Sequence, residues 1–103
     1  MSRSLDGLYW HDGDWHASEH KLLGLRDNSF WMGNAVFDGA RAFSGAVPDL
    51  DLHCARAIRS AQAMYLQPKI STDELVALCR EGIARFDDEA VLYIAPCFLR
   101  PVA

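Results

Sequence analysis

The alternation of apolar and polar positions divides the chain into short strands and two longer helices. Leu8–His11 and Asp14–His16 are aromatic-rich runs on either side of Asp12-Gly13. Asp-Gly between such runs is the signal of a type I′ hairpin, which predicts strands at about 7–11 and 14–17. Lys21 to Asn28 reads as a connection, and Asp27-Asn28-Ser29 as the cap of a helix beginning at Phe30. Phe30, Trp31, Ala35 and Val36 fit about two helical turns. Phe37, Ala40, Ala42 and Phe43 continue as an apolar segment with two charges inside it, Asp38 and Arg41. Ser44-Gly45 marks a turn. Ala46 to Leu50 reads as a short strand whose Pro48 confines it to an edge or a strand end.

Asp49 or Asp51 is placed to cap a helix running to about Met64, with Cys54, Ile58, Ala61 and Tyr65 as its inward stripe. Gln67-Pro68-Lys69 breaks the chain. Ser71 and Glu74 then form a capping box, and the helix they start runs to about Phe86 with Leu75, Cys79, Ile83 and Phe86 inward. After the acidic turn Asp87-Asp88-Glu89, Ala90 to Leu99 is nearly all apolar and reads as one buried strand, ended by Pro101. The order β-β-α-β-β-α-α-β predicts an α+β fold, two longer helices packed on a mainly antiparallel sheet, in a single domain over residues 1–103.

Composition narrows the function classes. Half of the 103 residues are apolar and 23% are charged, the balance of a globular chain able to bury a modest core. The net charge is −4 with only 10 Lys and Arg, which argues against a nucleic-acid or anionic-membrane partner, since either needs a basic patch. No apolar run approaches the length of a membrane-spanning helix, and the start MSRSLDGLYW lacks the apolar core of a signal peptide. Cys54, Cys79 and Cys97 are odd in number and widely spaced; they read as free, mostly buried thiols of a cytoplasmic protein. His16 and His20 are four apart but have no third ligand nearby, so they read as surface residues rather than a metal pair.

The chemistry-bearing stretch is Ser29 to Phe43. A charge inside an apolar strand is costly unless it is paired, solvated or turned to a ligand. Asp38 and Arg41 therefore either sit on a solvent face, pair with each other, or face something bound. Arg56 and Arg59 lie off the core stripe of their helix, where a solvated face is the simplest reading.

These residues also carry a family resemblance. VFDGARAF, Val36 to Phe43, resembles the V-F-E/D-G-x-R-x-[YF] segment of class IV aminotransferases, which use pyridoxal phosphate (PLP) on the fold-type IV scaffold. PDLDLHCARAIRSA, Pro48 to Ala61, is similar to that family's first long helix. Tyr93 to Pro96 is similar to its Tyr-Ile-x-Pro strand, and the preceding hairpin falls in the same order. The resemblance covers nearly the whole chain but only the amino-terminal domain of the family, nearest its branched-chain or (R)-amine branch.

The resemblance implies the small α+β amino-terminal domain of a homo-oligomeric enzyme that moves an amino group between an amino acid or amine and a 2-oxo acid. Arg56 matches the phosphate-binding arginine. Arg41 matches an arginine that orients a tyrosine holding the substrate carboxylate, and Tyr93 matches that tyrosine. Phe37 matches an aromatic of the side-chain pocket; Trp31 and Met32 would line the same pocket or serve as plain core. In such enzymes the Schiff-base lysine and the acid on the pyridine nitrogen come from a carboxy-terminal domain, expected to be absent here. Neither Lys21 nor Lys69 matches the family's lysine position, so the isolated chain is expected to be inactive, with no catalytic residue of its own. Ala95 stands where branched-chain enzymes often have Arg, Met32 where they often have Tyr, and CFLRPVA departs from the usual continuation. The alternatives are an aminodeoxychorismate lyase-like PLP lyase and a non-catalytic dimerising α+β module.

Overall fold

A computed structural model of the chain describes residues 7–17 and 21–100. The chain opens on the hairpin of β1 (Tyr9–His11) and β2 (Asp14–His16), in which Trp10 stands opposite Trp15. Asp12 and Gly13 have φ of 52° and 91°, the two positive values a type I′ turn requires. The two indoles meet edge to face, with ring centroids 5.4 Å apart. His16 lies on a strand; His20 falls outside the described residues, as does Pro101.

The helix expected to span two turns is a single short one, α1 (Asn28–Met32), ended by Gly33 in the left-handed conformation. Asp27 occupies its N-cap position without a side-chain capping bond; the Asp27 carboxylate accepts from the Gly24 amide instead, at 2.5 Å. Buried Ser29 anchors α1 at the far end of the chain. Its amide donates to the Arg100 carbonyl at 3.0 Å, and its hydroxyl accepts from the Arg100 amide at 2.6 Å while donating to the Asn34 carbonyl at 2.7 Å.

Ala35 and Val36 belong to a strand, not to that helix. The segment from 35 to 43 forms β3 (Ala35–Phe37) and β4 (Ala40–Phe43), separated by Asp38-Gly39. The expected single strand from Ala90 to Leu99 is likewise two, β5 (Val91–Ile94) and β6 (Cys97–Leu99), separated by Ala95-Pro96. A proline has no amide to give the ladder, and the residue before it is restricted, which accounts for the break. β3 pairs antiparallel with β6 and β4 with β5, in one shared register. The Asp38 amide donates to the Pro96 carbonyl at 3.1 Å, so the two ladders form one continuous ribbon with a bend in its middle.

That register sorts the side chains by parity. Val36, Ala40, Ala42, Leu92, Ile94 and Phe98 face inward. Phe37, Arg41, Phe43, Val91 and Tyr93 face out and are exposed. The buried strand expected from the apolar run is thus only half buried. Ala46 makes a single bridge to Phe43, and no strand spans 46–50.

Two helices cover the inner face. α2 (Leu50–Ala63) buries Leu50, Cys54, Ala57, Ile58 and Ala61. Asp49 stands at its N-cap but is left-handed, and its side chain makes no capping bond. Tyr65, assigned to the inward stripe, is exposed instead. It takes a left-handed φ of 57°, and the Leu66 amide reaches back to the Ala61 carbonyl at 2.9 Å, a Schellman-type ending that swings Tyr65 off the helix. α3 (Thr72–Ile83) begins with the expected capping box: the Glu74 amide donates to the Ser71 hydroxyl and the Ser71 amide to the Glu74 carboxylate. The helix ends at Ile83 rather than Phe86. Leu75 is buried on it, while Cys79, Ile83 and Phe86 are half-buried. Ala40, Leu50, Cys54, Ile58 and Leu75 form one cluster, edged by Val47, Ile70, Val76, Ile94 and Phe98. Among the described residues no helix is long and apolar enough to cross a membrane.

The hairpin docks on α3 through Trp15. Its indole Nε1–H donates to Glu81 at 3.0 Å, and the Arg85 guanidinium lies 5.4 Å from its ring centroid. The ring presses so closely on buried Gly82 that an added Cβ would stand 2.5 Å from its edge. Gly82→Ala should therefore displace Trp15 and forfeit that hydrogen bond, which contributes about 1.5–3 kcal/mol when its acceptor is charged. The expected result is a melting temperature lower by roughly 4–8 °C per kcal/mol lost, with the Trp15 indole signal moved toward its solvent-exposed position in NMR spectra. An unmoved indole signal would show that the hairpin docks by other contacts.

Candidate functional site

Asp38 has the parity of Ala40 and Val36, so its carboxylate points inward at the bend of the ribbon and is 7% exposed. It meets α2 there. Arg56 Nε donates to Asp38 Oδ2 at 2.5 Å and Arg56 Nη2 to Oδ1 at 2.9 Å, a two-point pair. His53 Nδ1 lies 2.7 Å from Asp38 Oδ1. The pairing of Asp38 with Arg41, one of the options read from the sequence, does not occur. Asp38 pairs with Arg56 and His53, and its burial is compensated by three charge-assisted or polar contacts.

The Arg56 hydrogen bonds hold the Asp38 carboxyl far below the usual carboxylate range; the His53 contact acts in the same direction and burial opposes both. Asp38 is thus an ionised, acceptor-only group, and His53 Nδ1 must carry the proton it donates. Since Nδ1 and Arg56 Nη2 are then both donors, their 3.4 Å approach is a contact and not a hydrogen bond.

A shallow groove of about 290 Å³ lies beside this cluster, lined by Gly39, Arg41, Phe43, Asp49, His53 and Tyr93 among others. Arg41 and Tyr93 are directly opposite on β4 and β5, and the guanidinium sits 5.7 Å from the ring centroid. That spacing suits a cation–π contact. The ring also lies across Gly39, where an added Cβ would stand 2.6 Å from the Tyr93 hydroxyl oxygen. A larger residue there would push the exposed Tyr93 ring aside.

The structure brings together Arg41 and Tyr93, and links Arg56 to them through His53. Phe37 lies on the same outer face of the ribbon, 65% exposed, but outside the groove lining. Trp31 and Met32 are exposed on α1 and also lie outside that lining, so the plain-core option for them is overturned. Neither Lys21 nor Lys69 lines the groove. Cys54 is buried; burial pushes the half-buried Cys79 thiol up to about 12, which leaves no thiolate for chemistry. Cys97 is exposed rather than buried. His53 was missed as a site residue. Its signal was its place three before Arg56 on one helix, which puts both side chains on neighbouring paths.

No family model matches the chain. Two curated relatives, both named "probable branched-chain-amino-acid aminotransferase", are 30% identical in Rickettsia conorii and 32% identical in Rickettsia felis, each over 95 residues. Those matches cover 89% of this chain and 32% of each relative. Among solved structures, an aminotransferase from Brucella abortus bound to PLP superposes with a TM-score of 0.84 at 41% identity, over 87% of this chain and 32% of that one. The chain therefore spans about a third of the length of the proteins it matches, and it has the fold of that third. The resemblance to aminotransferases carried by Val36–Phe43 holds along the chain.

Because the folded state depresses the Asp38 carboxyl below its unfolded value of 3.8, the unfolded chain binds more protons at this residue as pH falls. The cluster's contribution to stability is full above that value and is lost on acidification toward the folded one. The gap in melting temperature between the wild type and Asp38→Asn should therefore be largest near neutral pH and shrink below about pH 4. A gap independent of pH from 7 to 3 would mean that Asp38 acts by shape and not by charge.

Proposed function

We propose that this chain, a partial relative of the branched-chain-amino-acid aminotransferases, supplies the amino-terminal half of a PLP-dependent active site of fold type IV. The observation that carries the reading is the Arg41–Tyr93 pair, cross-strand neighbours beside a groove that His53, the neighbour of Arg56 on Asp38, also lines. In this reading Tyr93, oriented by Arg41, holds the carboxylate of an amino acid or 2-oxo acid. Phe37 contacts the substrate side chain, with Trp31 and Met32 completing that wall from α1. Arg56 takes the cofactor phosphate.

The residues fit part of the cofactor. Arg56 has its Nη1 end without a partner among the described residues, and its side chain is 60% exposed, so an anion can reach it. The covalent lysine does not fit: neither lysine of this chain lies at the groove. PLP, when bound, supplies the electron sink for moving an amino group between an amine or amino acid and a 2-oxo acid. This chain's residues bind and orient; the lysine comes from a domain outside residues 1–103, and the chain alone is inactive. The lyase and non-catalytic alternatives draw no support from the named relatives. A cytoplasmic setting is inferred from the free cysteines.

Arg56 and Arg59 separate under mutation. In a chimera joining this chain to the carboxy-terminal two-thirds of a relative, Arg56→Ala removes a charge-assisted pair with the phosphate, about 1.5–3 kcal/mol, or on the order of ten- to a hundredfold in PLP affinity. Arg59 is exposed, and Arg59→Ala should cost about 0–1 kcal/mol. Absorbance titration with PLP reads both, and equal losses would remove the phosphate role from Arg56.

Self-association follows from the outer face of the ribbon. Phe37, Phe43, Val91 and Tyr93 are exposed on it, and Phe30, Trp31 and Met32 on α1. An apolar surface of this kind drives association, so sedimentation should find dimers or larger species at micromolar concentration. A clean monomer well above that range would count against a homo-oligomer.

A further inference from the structure

A guanidinium has two edges that can each receive an anion in a two-point pair. The side edge is formed by Nε and Nη2, and the end edge by Nη1 and Nη2. In this chain Asp38 occupies the side edge, through Nε to Oδ2 and Nη2 to Oδ1. Asp38 is itself fixed three ways: by its backbone bond to Pro96, by His53, and by its place at the bend of the ribbon. The end edge points away from the carboxylate, in a side chain that is 60% exposed although its partner is 6% exposed.

We propose that Asp38 is a positioning residue for Arg56, and that it clamps the side edge so that the end edge is held outward for a phosphate-type dianion. The proposal rests on the phosphate role read above for Arg56 and adds what sets that arginine's geometry. A long arginine side chain loses rotamer freedom when it is ordered. The Asp38 clamp imposes that loss on folding, so a ligand does not bear it on binding. His53 completes the clamp from the third side, with Nδ1–H on the same Oδ1 that receives Nη2.

Two effects of Asp38 on an anion oppose each other. Its negative charge repels the anion, while its hold on Arg56 favours it. The carboxylate faces the inner edge and the anion would face the outer one, with the cationic guanidinium between them, so the geometric effect is the one expected to win. This gives the experiment a sign. Charge removal alone would tighten anion binding in Asp38→Asn; loss of positioning weakens it.

The test uses the chain as it stands and inorganic phosphate as the probe, followed by NMR of the Arg56 Nε–Hε group. In the wild type this signal should be protected from solvent exchange and should shift saturably with phosphate. In Asp38→Asn, protection should be lost and phosphate binding weakened about tenfold, the equivalent of one lost bond at roughly 1.4 kcal/mol per decade. Asp38→Glu, which keeps the carboxylate, should restore protection and most of the affinity. Arg56→Lys keeps the charge but has no second edge; read in both proteins by the backbone amides around residue 56, the phosphate response of the wild type should be lost in this variant while the rest of the spectrum persists. If Asp38→Asn fails to fold, the wild-type signal still decides: an Arg56 Nε–Hε group that exchanges freely with solvent would show that Asp38 does not clamp it. Equal or tighter phosphate binding in Asp38→Asn, an undiminished response in Arg56→Lys, or a protected wild-type signal that ignores phosphate would each overturn the proposal. Failure of the chimera to bind PLP, with the phosphate response at Arg56 intact, would instead sink the aminotransferase reading and leave this one standing.

Discussion

The buried carboxylate of Asp38 joins the two layers of the fold at one point. Its backbone belongs to the ribbon, where the amide bonds the Pro96 carbonyl, and its side chain belongs to the helix layer, where it receives Arg56 and His53. A lone carboxylate in that position would be strongly unfavourable. The pair makes sense only if ribbon and helix are in register with each other. The ion cluster therefore specifies the relative placement of the layers, because the inward carboxylate is satisfied where Arg56 and His53 reach it. The apolar contacts supply the stability; Asp38 selects which arrangement of them is occupied.

The ribbon it bends has two faces with separate tasks. The inner face offers Ala40 and Ala42, both buried, and Ala40 packs in one cluster with Leu50 and Cys54 of α2. The outer face offers Phe37, Arg41, Phe43, Val91 and Tyr93. A slip of one residue in the pairing would exchange these sets, burying Arg41 and exposing the alanines. The bend at Asp38-Gly39 and Ala95-Pro96 occurs at the same level on both strands, so it turns the ribbon without breaking the register. The groove lies beside that bend, with Gly39 giving room for the Tyr93 ring.

What the sequence made legible was local. The Asp12-Gly13 hairpin and the Ser71–Glu74 capping box follow from short-range rules, and both stand as expected. The stripe of α2 was legible through Ala61 but not at Tyr65, because a left-handed helix ending usually announces itself with glycine and here uses tyrosine. The strand break at Pro96 was in plain view, yet the apolar run around it outweighed the proline. The two-turn helix at 30 failed for a related reason: four apolar residues fit the helical period, but Gly33 among them ends the helix in the left-handed conformation. Of the site, Arg41 opposite Tyr93 was suggested by resemblance and is set by register. The Asp38–Arg56 pair was not legible, since it joins residues on two elements 18 positions apart. Parity alone would have turned Asp38 inward with Ala40, and an inward acid demands a cation.

The same parity explains why a binding surface can exist on so small a core. Leu50 and Cys54 are the largest side chains wholly removed from water among the described residues, and alanines supply much of the rest. A fold that drew its aromatics inward would have a thicker core and a polar outer ribbon. This one leaves Phe37, Phe43, Tyr93 and Trp31 at the surface, a cost in exposed apolar area that no local rule of helix or strand formation requires. Of these, Phe43 and Tyr93 line the groove with Arg41, while Phe37 and Trp31 lie outside it. The outer face of the ribbon thus carries exposed aromatics and Arg41, while the inner face carries the alanines and the ion-paired Asp38.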